Sequence, residues 1–559
     1  MLAFFDNTEV KMKVISACLN SKYIHSSLSV WCLYAGVKKY CCSDIDIDVM
    51  ETTINYDNNK FLQEIINKKP DLISFSCYIW NINKTLELCR IIKEQLNCKI
   101  VLGGPEVAYR TAQILDNYGF IDFVLTGEGE WAFASLLNAI TADCNFSAVE
   151  GLSFRNEKKI FINPEIEHNE TPPSPYCDKY FEKLSGRIAY IETSRGCPFR
   201  CAYCLSGRVS NLRFFDLSQI KTDLFLLAKS GTKTIKFVDR TFNASVHHCN
   251  EILTFIKDNF GNSDYKNVCF HFEIAADILH NSTLEILSEM PQGLVQLEIG
   301  IQSFNETTLK HINRKSDIKR LIENIKKLIS LRNIHVHIDL IAGLSFEDIE
   351  SFIAGFNKAY LLKADMLQLG FLKLLHGADM REKRQEFPCE FSVDPPYEVI
   401  STPWINEDEI FELKRCEDAL DRLYNSGRFL LTLGYLIDDI GFTPYELFAQ
   451  FGKEYDFNNI TLTDFVVCLF VYFSKFSDPI ILREKICCDL IASSVNITLP
   501  EQLKIYDPKY KQLKKYFSEK LNQNIKMVIL NSCNKVYIIP ENARKNLNGR
   551  FEGLYFDIP

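Results

Sequence analysis

The stretch Ile191-Glu-Thr-Ser-Arg-Gly-Cys197-Pro-Phe-Arg-Cys201-Ala-Tyr-Cys204 decides how the rest of the chain is read. An apolar run, Ile188–Ile191, reads as a strand, and Thr193-Ser-Arg-Gly then opens a loop that carries three thiols. The spacing is three residues and then two. Iron–sulfur clusters normally take four thiolates, so three in one loop leave one iron open to a small ligand. A structural zinc site closes with four ligands, and no suitable Cys or His stands close in sequence.

Around this loop the chain has 559 residues, 47% apolar and 24% charged, the mix of an ordinary globular protein, so wholesale disorder is excluded. Length alone argues three or four domains. The formal charge of -9 argues against a nucleic-acid binder. Met1–Val14 shows no secretory pattern, and the longest strongly apolar stretch, Phe465–Phe473, is too short for a membrane span. A cytoplasmic location is expected, where thiols stay reduced. Most of the 20 cysteines then read as small hydrophobes, including Cys32, Cys89, Cys468 and the pairs Cys41-Cys42 and Cys487-Cys488.

Downstream, strand-like runs alternate with helical stretches. The strands read as Thr234–Val238, Val268–Ile274, Val295–Ile301, His335–Ile341 and Met366–Leu372. With Ile188–Ile191 they make six, the rhythm of βα units in a parallel barrel, whose chemistry sits at the strand ends. Those ends carry Asp239, Glu273, Glu298, Gln302 and Ser303, then Asp339–Gly343 and Lys373–Asp379.

The cysteine spacing, with Tyr203 before Cys204, resembles the radical S-adenosylmethionine superfamily. The resemblance implies a four-iron, four-sulfur (4Fe–4S) cluster on Cys197, Cys201 and Cys204. Its open iron would chelate the methionine end of S-adenosylmethionine, and electron transfer would give a 5′-deoxyadenosyl radical. It also implies S-adenosylmethionine contacts from Tyr203, Asp239, Glu273, Glu298, Gln302 and Ser303. The turn after the second strand is Val238-Asp239-Arg240 rather than the superfamily's Gly-Gly-Glu-like motif. Arg195, Arg200 and Arg208 bracket the loop and could offset the negative cluster or be surface residues.

Before the barrel, strands read at Lys13–Ala17, Ile45–Met50, Leu72–Ser76, Ile100–Leu102 and Phe123–Leu125. Helical patterns such as Ser26–Lys39 and Ile82–Leu96 lie between them. This argues a doubly wound parallel sheet with ligands off its carboxyl edge. In tandem with the barrel it resembles the cobalamin-binding module of cobalamin-dependent radical enzymes. Ser76 and Tyr78, Gly103-Gly104, and Gly127-Glu128 then stand where that module holds cobalamin. The Asp-x-His-x-x-Gly signature that puts histidine on cobalt is absent. His25 falls near its place without the orienting aspartate, and loop hydrogen bonding or helix capping is its expected role. Methylthiotransferases are a competing resemblance, but their second cluster needs three cysteines on strand-end loops. Here Cys18 and Cys77 have no third after the fourth strand.

The expected architecture is therefore α/β: a doubly wound, Rossmann-like cobalamin-binding domain (1–140) and a connector (141–185) that includes the stiff Thr171–Pro175. A partial (β/α)6 radical barrel (186–395) and a mainly helical C-terminal domain (396–559) follow. The last resembles an uncharacterised extension of cobalamin-type radical proteins. Leu462–Phe473 reads as a helix and Val528–Ile539 as a short strand pair. Methylation of an unactivated carbon on a small-molecule or peptide substrate is the expected activity, with flavodoxin or ferredoxin as electron donor. A non-methylating radical reaction, methylthiotransferase-like chemistry and a non-enzymatic corrinoid sensor are the alternatives.

Overall fold

Along the first strand, Val14 turns to one side of a sheet while Ile15, Ala17 and Leu19 turn to the other, and all four are buried. Such two-sided burial is what a parallel sheet covered by helices on both faces requires. The computed structural model describes residues 11–208, 211–261, 265, 268–493 and 499–559. The expectation about a leader falls partly on residues 1–10, which lie outside these.

Two compact units emerge, Met1–Glu273 with Lys373–Phe387 and Ser392–Glu398, and Ile274–Leu372 with Pro388–Phe391 and Val399–Pro559. In the first unit, β1 (Lys13–Asn20), β2 (Asp46–Thr53), β3 (Leu72–Ser76), β4 (Lys99–Gly103) and β5 (Phe123–Leu125) are parallel. Their order, 2-1-3-4-5, has its switch point between β1 and β3, where open α/β sheets bind ligands. The helices Asn58–Lys68 and Ile82–Gln95 cover one face, while Leu28–Tyr40 and Gly129–Thr141 cover the other.

The sheet does not stop at the fifth strand. β6 (Leu152–Asn156) and β7 (Lys159–Ile162) continue it antiparallel, inside the segment expected to be connector. β7 is mostly exposed, so it lacks the buried alternation that marks a strand in sequence. A further parallel set in the same unit comprises β8 (Ala189–Ile191), β11 (Thr234–Phe237) and β12 (Cys269–Ile274). A two-stranded ribbon, β9 (Ser194–Arg195) with β10 (Arg213–Phe214), intervenes. Ile235, Phe237, Phe270 and Phe272 are buried, while Lys236, His271 and Glu273 take the other, half-buried side.

The second unit holds β13 (Val295–Gln302), β14 (His335–Ala342) and β15 (Met366–Phe371), again parallel. All six strands expected for the radical barrel therefore form, three in each unit. The rest of this unit is mainly helical, with Leu462–Phe473 a helix as expected. The terminal pair is a three-stranded antiparallel sheet, because Leu554–Asp557 joins Ile525–Leu530 and Lys535–Pro540. That third strand is largely exposed and has no apolar run to mark it.

Candidate active site

The cluster loop is closed at its neck by the β9–β10 ribbon, where Arg195 pairs with Arg213 and Ser194 with Phe214. Gly196, at φ +96°, follows at once, and a Cβ there would lie 2.5 Å from the Asn211 carbonyl oxygen. Only glycine fits that turn. Beyond it, Cys201 is 8% exposed, and its carbonyl accepts from Cys204 N at 3.1 Å. Cys197 Sγ lies 3.4 Å from Thr241 Oγ1. Three thiols on one pinned loop, with no fourth Cys or His in it, fit an iron–sulfur cluster that keeps one iron open.

Asp239 fixes the approach to this loop. It is 1% exposed and accepts from Thr193 N at 3.1 Å, Thr193 Oγ1 at 2.7 Å and the Ser194 hydroxyl. Burial pushes its carboxyl up to about 6 against those hydrogen bonds. Its oxygens are thus engaged with the backbone and hydroxyls that lead into the cysteines. Tyr203 is half-buried between Ala202 and Cys204. Glu273, at the end of β12, has Lys236 Nζ 3.8 Å away.

In the second unit, Glu298, His337 and Asp339 bring their polar atoms within 4.8 Å of one another, with His337 Nε2 2.8 Å from Asp339 Oδ1. Gln302 ends β13 in the left-handed region, at φ +70°, next to a register shift. Ser303 is buried and donates to Glu347 Oε1. Glu347 escaped the sequence reading. The available signal was a carboxylate just past the Gly343 turn after β14, at 1% exposure in the fold.

Burial raises the Glu347 carboxyl to about 7, against the Ser303 hydroxyl that favours its charged form. A carboxyl near 4.5 when unfolded and near 7 when folded stabilises the fold fully below pH 4.5. That contribution is lost as pH rises through 7. Glu347→Gln keeps an acceptor for Ser303 and should flatten the stability profile over this window. Relative to wild type it gains on the order of a few kcal/mol on the alkaline side. Denaturant midpoints between pH 4.5 and 8 check this, and an unchanged slope would contradict it.

At the carboxyl edge of the first sheet, Ser76 accepts from Ser29 Oγ at 2.9 Å, and Tyr78 stacks on Trp80 with centroids 4.5 Å apart. Gly104, at φ +100°, comes so close to the strand-three loop that a Cβ would lie 2.6 Å from the Cys77 carbonyl oxygen. Gly104→Ala should cost about 1–3 kcal/mol and open this edge. A Tm within 1 °C of wild type and unchanged corrinoid affinity would contradict that. Tyr23, Trp80 and Tyr109 follow three of these strands and are 74%, 44% and 44% exposed. Apolar rings around a two-glycine edge fit a large flat macrocycle.

Glu128 is occupied differently. It bonds both Arg195 and Arg213, the latter at 2.7–2.9 Å, so it links the end of β5 to the neck of the cluster loop. Burial alone would raise its carboxyl, but the Arg213 and Arg195 guanidiniums outweigh burial and hold it below the usual range. Arg195 also binds Glu130 at 2.6 Å and Glu192 at 2.9 Å, so its charge is spent on three carboxylates. His25 Nδ1 lies 2.6 Å from Tyr190 Oη on β8, the loop hydrogen bond expected of it. Cys18 and Cys77, at 1% and 0% exposure, pack as buried thiols whose titration burial drives upward.

A doubly wound sheet with a glycine carboxyl edge, followed by a three-cysteine loop and further parallel strands, is the arrangement to compare with known proteins. Three families match the chain in tandem: the B12 binding domain over 14–137, the Radical SAM superfamily over 191–354, and DUF4080, a family of unknown function, over 385–546. The chain therefore carries matches to a B12 binding domain and to the Radical SAM superfamily in tandem, with the DUF4080 match after them.

The cobalamin-dependent radical SAM methyltransferase TokK of Streptomyces tokunonensis is 26% identical over 394 residues, 63% of this chain and 54% of that protein. The hopanoid C-3 methylase of Methylococcus capsulatus is 26% identical over 308 residues, 53% of this chain and 58% of that one. The chain thus spans little more than half the length of these relatives. The cobalamin-dependent radical enzyme OxsB, solved with aqua-cobalamin and S-adenosylmethionine, shares the fold with a TM-score of 0.63. It is 15% identical and covers 91% of this chain and 84% of its own. Among the described residues no helix is long and apolar enough to cross a membrane.

Proposed function

We propose that the protein is a cobalamin-dependent radical S-adenosylmethionine methyltransferase acting on an unactivated carbon of a small molecule. With its cofactors bound, the cluster and S-adenosylmethionine supply a 5′-deoxyadenosyl radical, and cobalamin supplies a methyl group. The observation that carries the reading is the Arg195–Glu128 junction. It ties the corrinoid-type edge of one sheet to the neck of the three-cysteine loop. The names of TokK and the hopanoid methylase support the choice of methyl transfer.

In this reading Cys197, Cys201 and Cys204 hold the cluster, and Ser76, Tyr78, Gly103, Gly104 and Gly127 form the corrinoid edge. Tyr203 and Glu273 of the first unit, and Glu298 and Gln302 of the second, are assigned to S-adenosylmethionine by the family resemblance, while Asp239 and Ser303 each hold the loops of their own unit through the hydrogen bonds described. Glu128 serves the junction. The first domain runs through β7 at Ile162 rather than ending at 140, and the divisions at 185 and 395 are kept. The electron would come from a flavodoxin or ferredoxin in the reducing cytoplasm, where an open cluster survives.

Anaerobic turnover of the reconstituted full chain with S-adenosylmethionine carrying a deuterated methyl group, a reductant and candidate metabolites tests this. A product heavier by one labelled methyl group is expected. A product altered without gaining it would overturn methyl transfer in favour of a rearrangement or oxidation.

A further inference from the structure

The carboxyl end of β13 is held in an unusual shape. Gln302 stands in the left-handed region, at φ +70°, without being a glycine. Such strain persists only where the surroundings over-determine it, and it collects at binding sites. The strand pairing shows its local origin. Gly300 lies opposite Asp339 and Gln302 opposite Leu340, so Ile301 is an extra residue on β13 and the strand bulges. The Gln302 amide folds back over Gly300, where a Cβ would overlap its nitrogen, and Arg314 donates to the Gly300 carbonyl.

What pins this bulge comes from the loop after the next strand. Ser303, 2% exposed, donates its hydroxyl to Glu347 Oε1 and accepts from Asn305 N at 2.9 Å. Asn305 Nδ2 donates to the Phe346 carbonyl at 3.0 Å, which stitches the two loops together a second time. Both loops run straight into helices. Asn305 caps Glu306–His311, and Asp348, next to Glu347, caps Ile349–Leu361. Glu347 therefore grips Ser303 from a fixed position at a helix start.

The remaining acceptors show how the work is divided. Among the described residues, Glu347 Oε2 has no hydrogen-bond partner, so the carboxyl's bonding is spent on Ser303 alone. Gln302 Oε1 is likewise buried and without a partner there. Buried acceptors are nearly always paired, so this one marks a place for a donor from outside the chain. Gln302 is half-buried and Glu347 is 1% exposed, so Gln302 is the one to meet a ligand while Glu347 stands behind it. S-adenosylmethionine carries hydroxyl and ammonium donors that suit the open Gln302 oxygen.

We infer that Glu347 is a positioning residue of the S-adenosylmethionine site, fixing the conformation of Gln302 through its bond to Ser303. The inference rests on the assignment of Gln302 to S-adenosylmethionine in the proposed function.

The test uses the anaerobically reconstituted full chain with its cluster oxidised, so that S-adenosylmethionine is bound and not cleaved, in equilibrium dialysis. Glu347→Leu removes the acceptor, and Ser303→Ala removes the same bond from the other side. Each should weaken S-adenosylmethionine binding by about tenfold. Glu347→Gln, which keeps an acceptor, should recover most of that loss. Under reduction, KM for S-adenosylmethionine should rise with Kd while kcat for 5′-deoxyadenosine stays within about threefold. A purely structural role would lower Tm and leave the Kd of the folded molecules unchanged.

Gln302→Gly supplies the second arm, because glycine adopts the left-handed region freely. If Glu347 acts by holding Gln302, Glu347→Leu adds little to the loss that Gln302→Gly already shows. Should Glu347→Leu not fold, Ser303→Ala in the Gln302→Gly background makes the same comparison. Additive losses overturn the inference, as do single variants with wild-type affinity. Wild type that binds no S-adenosylmethionine overturns the functional reading and the inference together, whereas wild-type binding that the variants share overturns the inference alone.

Discussion

Replacing Cys201 with alanine should leave a folded protein that makes no 5′-deoxyadenosine above background when reduced with S-adenosylmethionine. Cys201 is nearly buried and sits at the centre of the loop, with its carbonyl bound by Cys204 N. A cluster that already has only three protein ligands cannot lose one and keep a defined open iron. The loss should exceed the 10–100-fold, roughly, that removing a mere supporting partner of a metal ligand costs. Iron content and 5′-deoxyadenosine, measured on the same preparation, check it. Retained cleavage would remove these cysteines from the chemistry. The loop itself should survive, because Asp239, Gly196 and the β9–β10 ribbon hold it by contacts that do not involve Cys201.

Arg195→Met is expected to destabilise the first unit by about 3–5 kcal/mol, the usual cost of removing one partner from a buried ion pair. Arg195 meets Glu128, Glu130 and Glu192, and Glu130 is 2% exposed. Burial opposes a charge here, but Glu192 and Glu130 outweigh it and hold the guanidinium well above its ordinary value. Without the cation, three carboxylates face one another with Arg213 alone to offset them. Adding Glu130→Gln should recover part of the loss, because the orphaned buried charge is then gone. Denaturant midpoints for the single and double variants measure this. A single variant within 1 kcal/mol of wild type would show that the junction does not hold the two edges together.

The three-cysteine loop and the buried strands leave local patterns in the sequence, and what the sequence does not reveal has physical causes. Cysteine spacing is local, so Cys197, Cys201 and Cys204 could be read directly. Strand alternation is also local, which is why Leu72–Ser76 and Phe123–Leu125 were placed with their observed ends. Glu128 was expected at the corrinoid edge for its position after the fifth strand. Its pairing with Arg195 and Arg213, 67 and 85 residues away, leaves no local trace. Glu347 had a readable position but no readable environment, since burial and the Ser303 bond exist only in the fold. The exposed strands β7 and Leu554–Asp557 lack the apolar periodicity that made the buried strands visible.

The proposed function requires one chain to carry both a corrinoid site and a cluster that cleaves S-adenosylmethionine. The most direct measurement is anaerobic reconstitution of the full chain with iron, sulfide and cobalamin, followed by quantification of cobalamin, iron and 5′-deoxyadenosine in one sample. About one cobalamin and about four irons per chain are expected, with 5′-deoxyadenosine forming on reduction. A protein that cleaves S-adenosylmethionine but retains no cobalamin would contradict it.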